Sequence, residues 1–253
     1  MRSPAPAAPL GPALVLLACG LSLAAQTEQV DVTYHLESAK PLSRFNSDQI
    51  ALLEKLNRAD GSHLAGLPHL IVPERWDLEE LEYSPMPQSV PRLSTERKAL
   101  VIDIPGQVFG GYESGELVRW GPVNTGDNHH QTPPGRYYLN WNSRLRTSSE
   151  NSDWLMPWYF NFSTERGFGA HQYSMPGRPM SHGCVRMLDV DARWLFKWGK
   201  GWTRSEDGQT ILEHGTPLLI VGKYDFGSPR PWLQPVWWSQ GITLSAPEMA
   251  SLR

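Results

Sequence analysis

Residues 171–187 read HQYSMPGRPMSHGCVRM and concentrate the side chains able to do covalent chemistry. Cys184 offers a thiol, which attacks a carbonyl only as thiolate. His171 and His182 lie close by in sequence, and an imidazole within hydrogen-bond reach takes the thiol proton and then stabilises the anion. Gly183 allows a tight main chain whose successive N–H groups point one way, as an oxyanion site requires. Arg186 adds a permanent cation, to hold a substrate carboxylate, to pair with Asp189, or simply to tie down the helix that begins there. Together these types allow cysteine acyl transfer. The blander readings are a buried apolar Cys184, a structural His182 bonded to main chain, and a surface His171. A zinc set drawn from His129, His130, His171, His182 and Cys184 matches no standard spacing, and adjacent histidines in a polar loop are usually solvated, so no metal is expected.

The elements that must position these residues are mostly strands. Residues 99–104 (ALVIDI), 107–113 (QVFGGYE), 116–123 (ELVRWGPV), 135–141 (GRYYLNW), 154–162 (WLMPWYFNF) and 217–222 (PLLIVG) are short apolar or aromatic runs divided by Gly, Pro, Asn and Ser. Pro105-Gly106 and Ser114-Gly115 read as hairpin turns. Strand alternation lets only one set of the 154–162 aromatics, with Trp158, Phe160 and Phe162 the expected set, face the core, leaving the other free to line a groove. One helix is expected from Asp189 as cap to Gly199 or Gly201. The fold class is mainly β, a sandwich or barrel with one or two helices.

The chain has 253 residues, 40% hydrophobic and 19% charged, with Gly and Pro at 22 each. That balance is globular and turn-rich, and it excludes a disordered chain. The net charge of −3 excludes a general attraction to nucleic acid but leaves room for a local basic site. Two cysteines exclude a disulfide framework. Residues 1–25 have the order of a secretory signal peptide: Arg2, an apolar run from Ala13 to Leu23, then small residues. Leu16-Leu17-Ala18-Cys19 also loosely resembles a lipobox, and lipidation of Cys19 is the one route to membrane anchoring. If the leader is removed, Cys184 is the lone thiol of an exported protein. Residues 26–75 form a small module with one helix, capped by Asn46 or Ser47 and ended by Asp60-Gly61, and a short strand at 70–73. The module weakly resembles a LysM unit. Residues 76–95 read as an acidic, Pro-rich linker, 96–225 as the catalytic domain, and 226–253 as a Pro- and Trp-rich tail.

Ser181-His182-Gly183-Cys184-Val185-Arg186-Met187 resembles the active-site signature of the L,D-transpeptidases, the YkuD-type catalytic domain. His171 fits the upstream histidine, and Asn124-Thr125-Gly126 with Thr132-Pro133-Pro134-Gly135 resembles the family's TG…TPxG segment. The resemblance implies a peptidoglycan L,D-transpeptidase in the bacterial periplasm or envelope, acting on stem peptides without a cofactor. By position it implies Cys184 as nucleophile, His171 as base, the Gln172 carbonyl orienting the imidazole, and His182 with the Gly183 and Cys184 amides at the oxyanion. Ser181, Gln172, Tyr173 and Arg186 are the expected substrate contacts. Transfer to an amine gives a 3→3 cross-link or wall attachment. The alternatives are an L,D-carboxypeptidase or endopeptidase on the same scaffold, or a non-catalytic wall-binding protein. Gln172 stands where common members have Gly, and the 171–181 loop is shorter than in many relatives.

Overall fold

In chain order the strands are β1 (Tyr34–Ser38), β2 (His69–Pro73), β3 (Ala99–Asp103), β4 (Val108–Glu113), β5 (Glu116–Asn124), β6 (Gly135–Tyr138) and β7 (Asn142–Thr147). They continue as β8 (Leu155–Ser163), β9 (Phe168–Gln172), β10 (Val185–Met187), β11 (Thr203–Arg204), β12 (Ile211–Glu213) and β13 (Pro217–Val221). The helices are α1 (Ser47–Asn57), α2 (Gly61–Leu64), α3 (Asp189–Trp198) and α4 (Pro235–Gln240). The computed structural model describes residues 32–245, 247 and 248, and Met1. Met1 apart, the leader read at residues 1–25, Cys19 included, falls outside the described residues.

Nine strands form one mixed sheet in the order β6-β13-β3-β4-β5-β10-β9-β8-β7. Its two edges are consecutive in the chain, joined only by residues 139–141. There Leu139 N–H donates to the Thr216 carbonyl (2.9 Å) on one edge, while Asn161 N–H donates to the Trp141 carbonyl (2.8 Å) on the other. The sheet curls until its edges meet at this corner, a barrel-like closure that leaves few free edge groups. The mainly β expectation holds. β3 is buried along its whole length, so its run shows no alternation, as for a strand covered on both faces. Ser114 (φ 50°) and Gly115 (φ 89°) make the two-residue β4–β5 hairpin, whose left-handed pair suits the twist of the strands.

The core gathers Val101, Phe109, Trp120, Val123, Phe160, Val185, Leu195 and Leu219, each at most 1% exposed. Burial of each such side chain contributes about 1.5–3 kcal/mol. α3 begins one residue earlier than expected, at Asp189 itself. Leu188 is the N-cap, and the Asp189 carboxylate instead accepts from Trp158 Nε1 (3.0 Å) and Arg193 Nε (2.6 Å).

β1 and β2 pair antiparallel with α1 and α2 between them. Asn46 caps α1 through a reciprocal box with Gln49. The helix ends not at Asp60-Gly61 but at Arg58, which takes the left-handed C-cap conformation (φ 57°). Asp60 starts α2 instead, accepting from the Ser62 and His63 amides. Residues 76–95 lie packed, burying Tyr83, Met86, Val90 and Leu93, while Asp77, Glu79, Glu80 and Glu82 stay on the surface.

Candidate active site

β9 and β10 lie side by side and parallel, with Val185 opposite Ala170 and Arg186 opposite His171. Ala170 and Val185 point into the core, so the opposite face carries His171 and Arg186, and Cys184 one step before β10. His171 and Cys184 thus sit diagonally on one face of neighbouring strands, and both line a cleft of about 570 Å³. Gly169 stands beneath Cys184 in this register, and its main chain hydrogen-bonds the sulfur.

The electrostatics define a resting state. Burial pushes the Cys184 thiol up, outweighing the Gly169 hydrogen bond. Burial likewise brings His171 down to about 4, against the pull of its hydrogen bond to the Gln172 carbonyl, and the Arg186 cation lowers it further. Both groups are therefore neutral at pH 7. His171 Nδ1 lies 2.9 Å from the Gln172 carbonyl oxygen, and a carbonyl can only accept, so Nδ1 carries the proton. Nε2 keeps the lone pair and is free to take a proton. The Tyr159 ring on β8 stacks beside the imidazole with centroids 6.2 Å apart.

The turn holding the thiol is pinned to the segment around Thr125. Ser181 is buried; its N–H donates to the Thr125 carbonyl (3.0 Å) and its carbonyl accepts from Asp127 N–H (2.8 Å). Thr132 Oγ1 donates to the Gly183 carbonyl (3.0 Å) and accepts from Gly126 N–H (2.9 Å). These contacts explain the TG and TP residues as a brace for the thiol turn. Gly183 sits at φ 100°, and a Cβ there would lie 2.4 Å from Phe168 Cε1. Gly126 is tighter still, with a Cβ meeting the His130 carbonyl oxygen at 1.8 Å.

Arg186 does not pair with Asp189. Its guanidinium donates to the carbonyls of Met180 (3.0 Å) and Ser174 (3.4 Å) and lies 4.7 Å over the Tyr173 ring. It fastens the 173–180 loop while still lining the cleft with Tyr173, Ser181 and His182. His182 packs between His130 (centroids 4.4 Å) and Trp154 (4.8 Å), and its Nδ1 is sealed from solvent without a hydrogen-bond partner, not bonded to main chain. The cleft also contains Arg146, Glu150, Trp154 and Arg166, which sequence reasoning missed. Arg146 and Arg166 sit at or beyond strand ends, where an arginine reads as a solvated cation. Of the 154–162 aromatics, Phe160 and Phe162 face the core, Trp154 faces the cleft, and Trp158 leaves the alternation at φ 54°.

A thiol, a neutral imidazole oriented by a carbonyl, and a braced glycine turn on a curled β-sheet define a scaffold fitted for cysteine acyl transfer. The family model of the YkuD L,D-transpeptidase catalytic domain matches residues 97–220, the stretch from just before β3 almost to the end of β13. Over that stretch, just under half of its length, this chain is similar to the L,D-transpeptidase catalytic domain. No curated protein sequence matches it. Among solved structures, the L,D-transpeptidase of Stackebrandtia nassauensis is 22% identical, with 51% of this chain and 58% of that chain covered and a TM-score of 0.42. Residues 123-326 of the Xylanimonas cellulosilytica enzyme are 24% identical, with 68% and 79% covered and a TM-score of 0.47. Mycobacterium tuberculosis L,D-transpeptidase 1 is 20% identical, with 50% and 62% covered and a TM-score of 0.38. The chain thus spans less than two thirds of the first of these proteins.

Proposed function

We propose that this protein is an exported peptidoglycan L,D-transpeptidase with Cys184 as nucleophile. The observation that carries the reading is the neutral His171, its Nδ1 proton fixed on the Gln172 carbonyl, sharing one cleft and one strand face with Cys184. As Sγ bonds to the carbonyl carbon between the third stem residue and D-Ala, the thiol proton passes to His171 Nε2. The oxyanion is received by the amides of the Gly183–Cys184 turn beside His182. Its collapse breaks the C–N bond, and His171 returns the proton to the departing D-Ala amine. An acceptor amine then attacks the thioester, gives its proton to His171, and releases Cys184 as the thiol once that proton is handed back. Water in place of the amine gives the carboxypeptidase outcome. Arg146, Arg166 and Arg186, against the single acid Glu150, make the cleft locally positive and suit a stem peptide bearing carboxylates.

The test is a product assay with disaccharide tetrapeptides, followed by mass spectrometry with and without an added amine. Wild type is expected to release D-Ala and form an amine-linked product, and Cys184→Ala to do neither. A carbapenem should leave a covalent mass adduct on Cys184. D-Ala release that survives Cys184→Ala would overturn the assignment.

A further inference from the structure

Asp127, His130 and His182 come from two separate segments, yet one ligand atom from each lies within 4.8 Å of the other two. His130 and His182 stood among the sequence's zinc candidates, but with 51 residues between them their spacing matched no standard pattern, and Asp127 was not among those candidates. The fold removes that distance. Main-chain bonds from Asp127 N–H to the Ser181 carbonyl (2.8 Å) and from Ser181 N–H to the Thr125 carbonyl (3.0 Å) lace the two segments together.

Three features suit a cation. First, a triangle with sides of at most 4.8 Å has a point within about 2.8 Å of every corner, so shifts under ~1 Å reach zinc-ligand distances of about 2.0–2.1 Å. Second, the imidazoles of His130 and His182 stack at 27° with centroids 4.4 Å apart, so the two segments bring their rings side by side. Third, His182 Nδ1 is buried and has no hydrogen-bond partner, a cost that ligation of an ion would relieve. Asp127 Oδ1 accepts the main-chain N–H groups of His129 and His130 (2.8 Å each), which hold the carboxylate in place beside the two rings.

We propose that Asp127, His130 and His182 form a binding site for one divalent cation of the zinc class. Two imidazoles and one carboxylate favour such an ion over magnesium or calcium, which take oxygen ligands. Three protein ligands leave a fourth position for water or a substrate carboxylate. The ion replaces the proton that now joins His130 Nδ1 to Asp127 Oδ1 at 3.0 Å. It fixes the ring of His182, two residues before Cys184, and so ties metal supply to the thiol turn.

The probe is zinc sulfate added to mature Cys184→Ala protein, which removes the competing thiol. Calorimetry and metal analysis after equilibrium dialysis should give one bound equivalent, and cobalt(II) should give visible absorption bands of a four-coordinate site. His130→Ala, on an exposed loop residue, and Asp127→Asn should each weaken binding by about tenfold or more. They should also abolish the zinc-induced rise in melting temperature expected of the parent variant. His129→Ala should bind as the parent does. No stoichiometric binding in Cys184→Ala, binding untouched by both ligand variants, or loss of binding in His129→Ala would overturn the proposal.

Discussion

At the residue scale, two pKa displacements decide how the site works. Burial holds His171 at about 4 instead of 6.5, so under the proposed mechanism acylation is lost only as pH falls through about 4 and the imidazole is protonated. Burial raises the Cys184 thiol above its ordinary range, so pre-formed thiolate adds nothing across neutrality. The expected profile of carbapenem acylation is a plateau across neutrality with an acid limb near 4, read by stopped-flow with circular dichroism confirming the fold in each buffer. A midpoint near 6.5 would mean that the imidazole is solvated. His171→Gln should slow acylation by about a hundred- to ten-thousand-fold, the usual range for a lost general base. Gly183→Ala faces both a left-handed φ of 100° and the Phe168 ring 2.4 Å from its new methyl. Displacement of the amides by even an ångström costs roughly a hundredfold in rate, and that drop in acylation is expected in protein that still folds. Cys184 and His171, which the structure brings into one cleft, were singled out in the sequence by their types and spacing. Arg146, Arg166 and Trp154 were not, because only the curl of the sheet turns strand ends toward the thiol.

At the scale of elements, the long apolar runs announced their strands: β3, β4, β5, β8 and β13 fall within a residue or two of the expected bounds. β7, β9 and β10 escaped notice. β7 reads NSRLRT and is largely exposed, and β10 has only three residues, so neither shows the periodicity that marks a half-buried strand. Yet β9 and β10 are the strands that set His171 against Cys184. Neither propensity nor alternation specifies them; long-range pairing does. The brace at Thr132 belongs to this scale too, since one hydroxyl joins the β5–β6 connection to the thiol turn. Thr132→Val keeps the shape but strands the Gly126 N–H and the Gly183 carbonyl without partners. At about 1–3 kcal/mol for each of the two buried groups, a loss of about 2–6 kcal/mol is expected in urea unfolding, together with slower acylation. A stability change within ±0.5 kcal/mol would show that water replaces the hydroxyl.

At the scale of the whole molecule, the small N-terminal module is fastened both to the sheet and to the loop that carries the chemistry. Its Asp60 N–H donates to the Met175 carbonyl (2.9 Å), its Asp60 carboxylate accepts from Met175 N–H (2.7 Å), and its Arg58 carbonyl accepts from Gly177 N–H (3.1 Å). Lys55 of α1 reaches Glu80 (2.6 Å) and the buried Asp191 of α3 (3.8 Å). The C-terminal segment closes the arrangement. The guanidinium of Arg58, 1% exposed, lies 5.0–5.7 Å from the rings of Trp232, Trp237 and Trp238, while donating to the Gly106, Lys55 and Leu56 carbonyls. Burial brings this group down to about 9, so it stays cationic at neutral pH, helped by Asp103. One side chain therefore joins module, β3–β4 turn and tail, and the larger of two apolar clusters runs through Val32, Leu56, Ile71, Trp120 and Trp232, beside a smaller one within the module at Leu53, Leu64 and Leu70. Arg58→Ala removes the cation–π contacts, leaves three buried carbonyls with one partner fewer, and opens a cavity between the tryptophans. A loss of about 3–5 kcal/mol is expected, with slower acylation because the 173–180 loop loses its support. Unfolding should stay a single transition, with tryptophan fluorescence and far-ultraviolet circular dichroism coincident in wild type and variant. Two separated transitions in wild type would mean that the module folds on its own and that its grip on the active-site loop is not part of one cooperative unit.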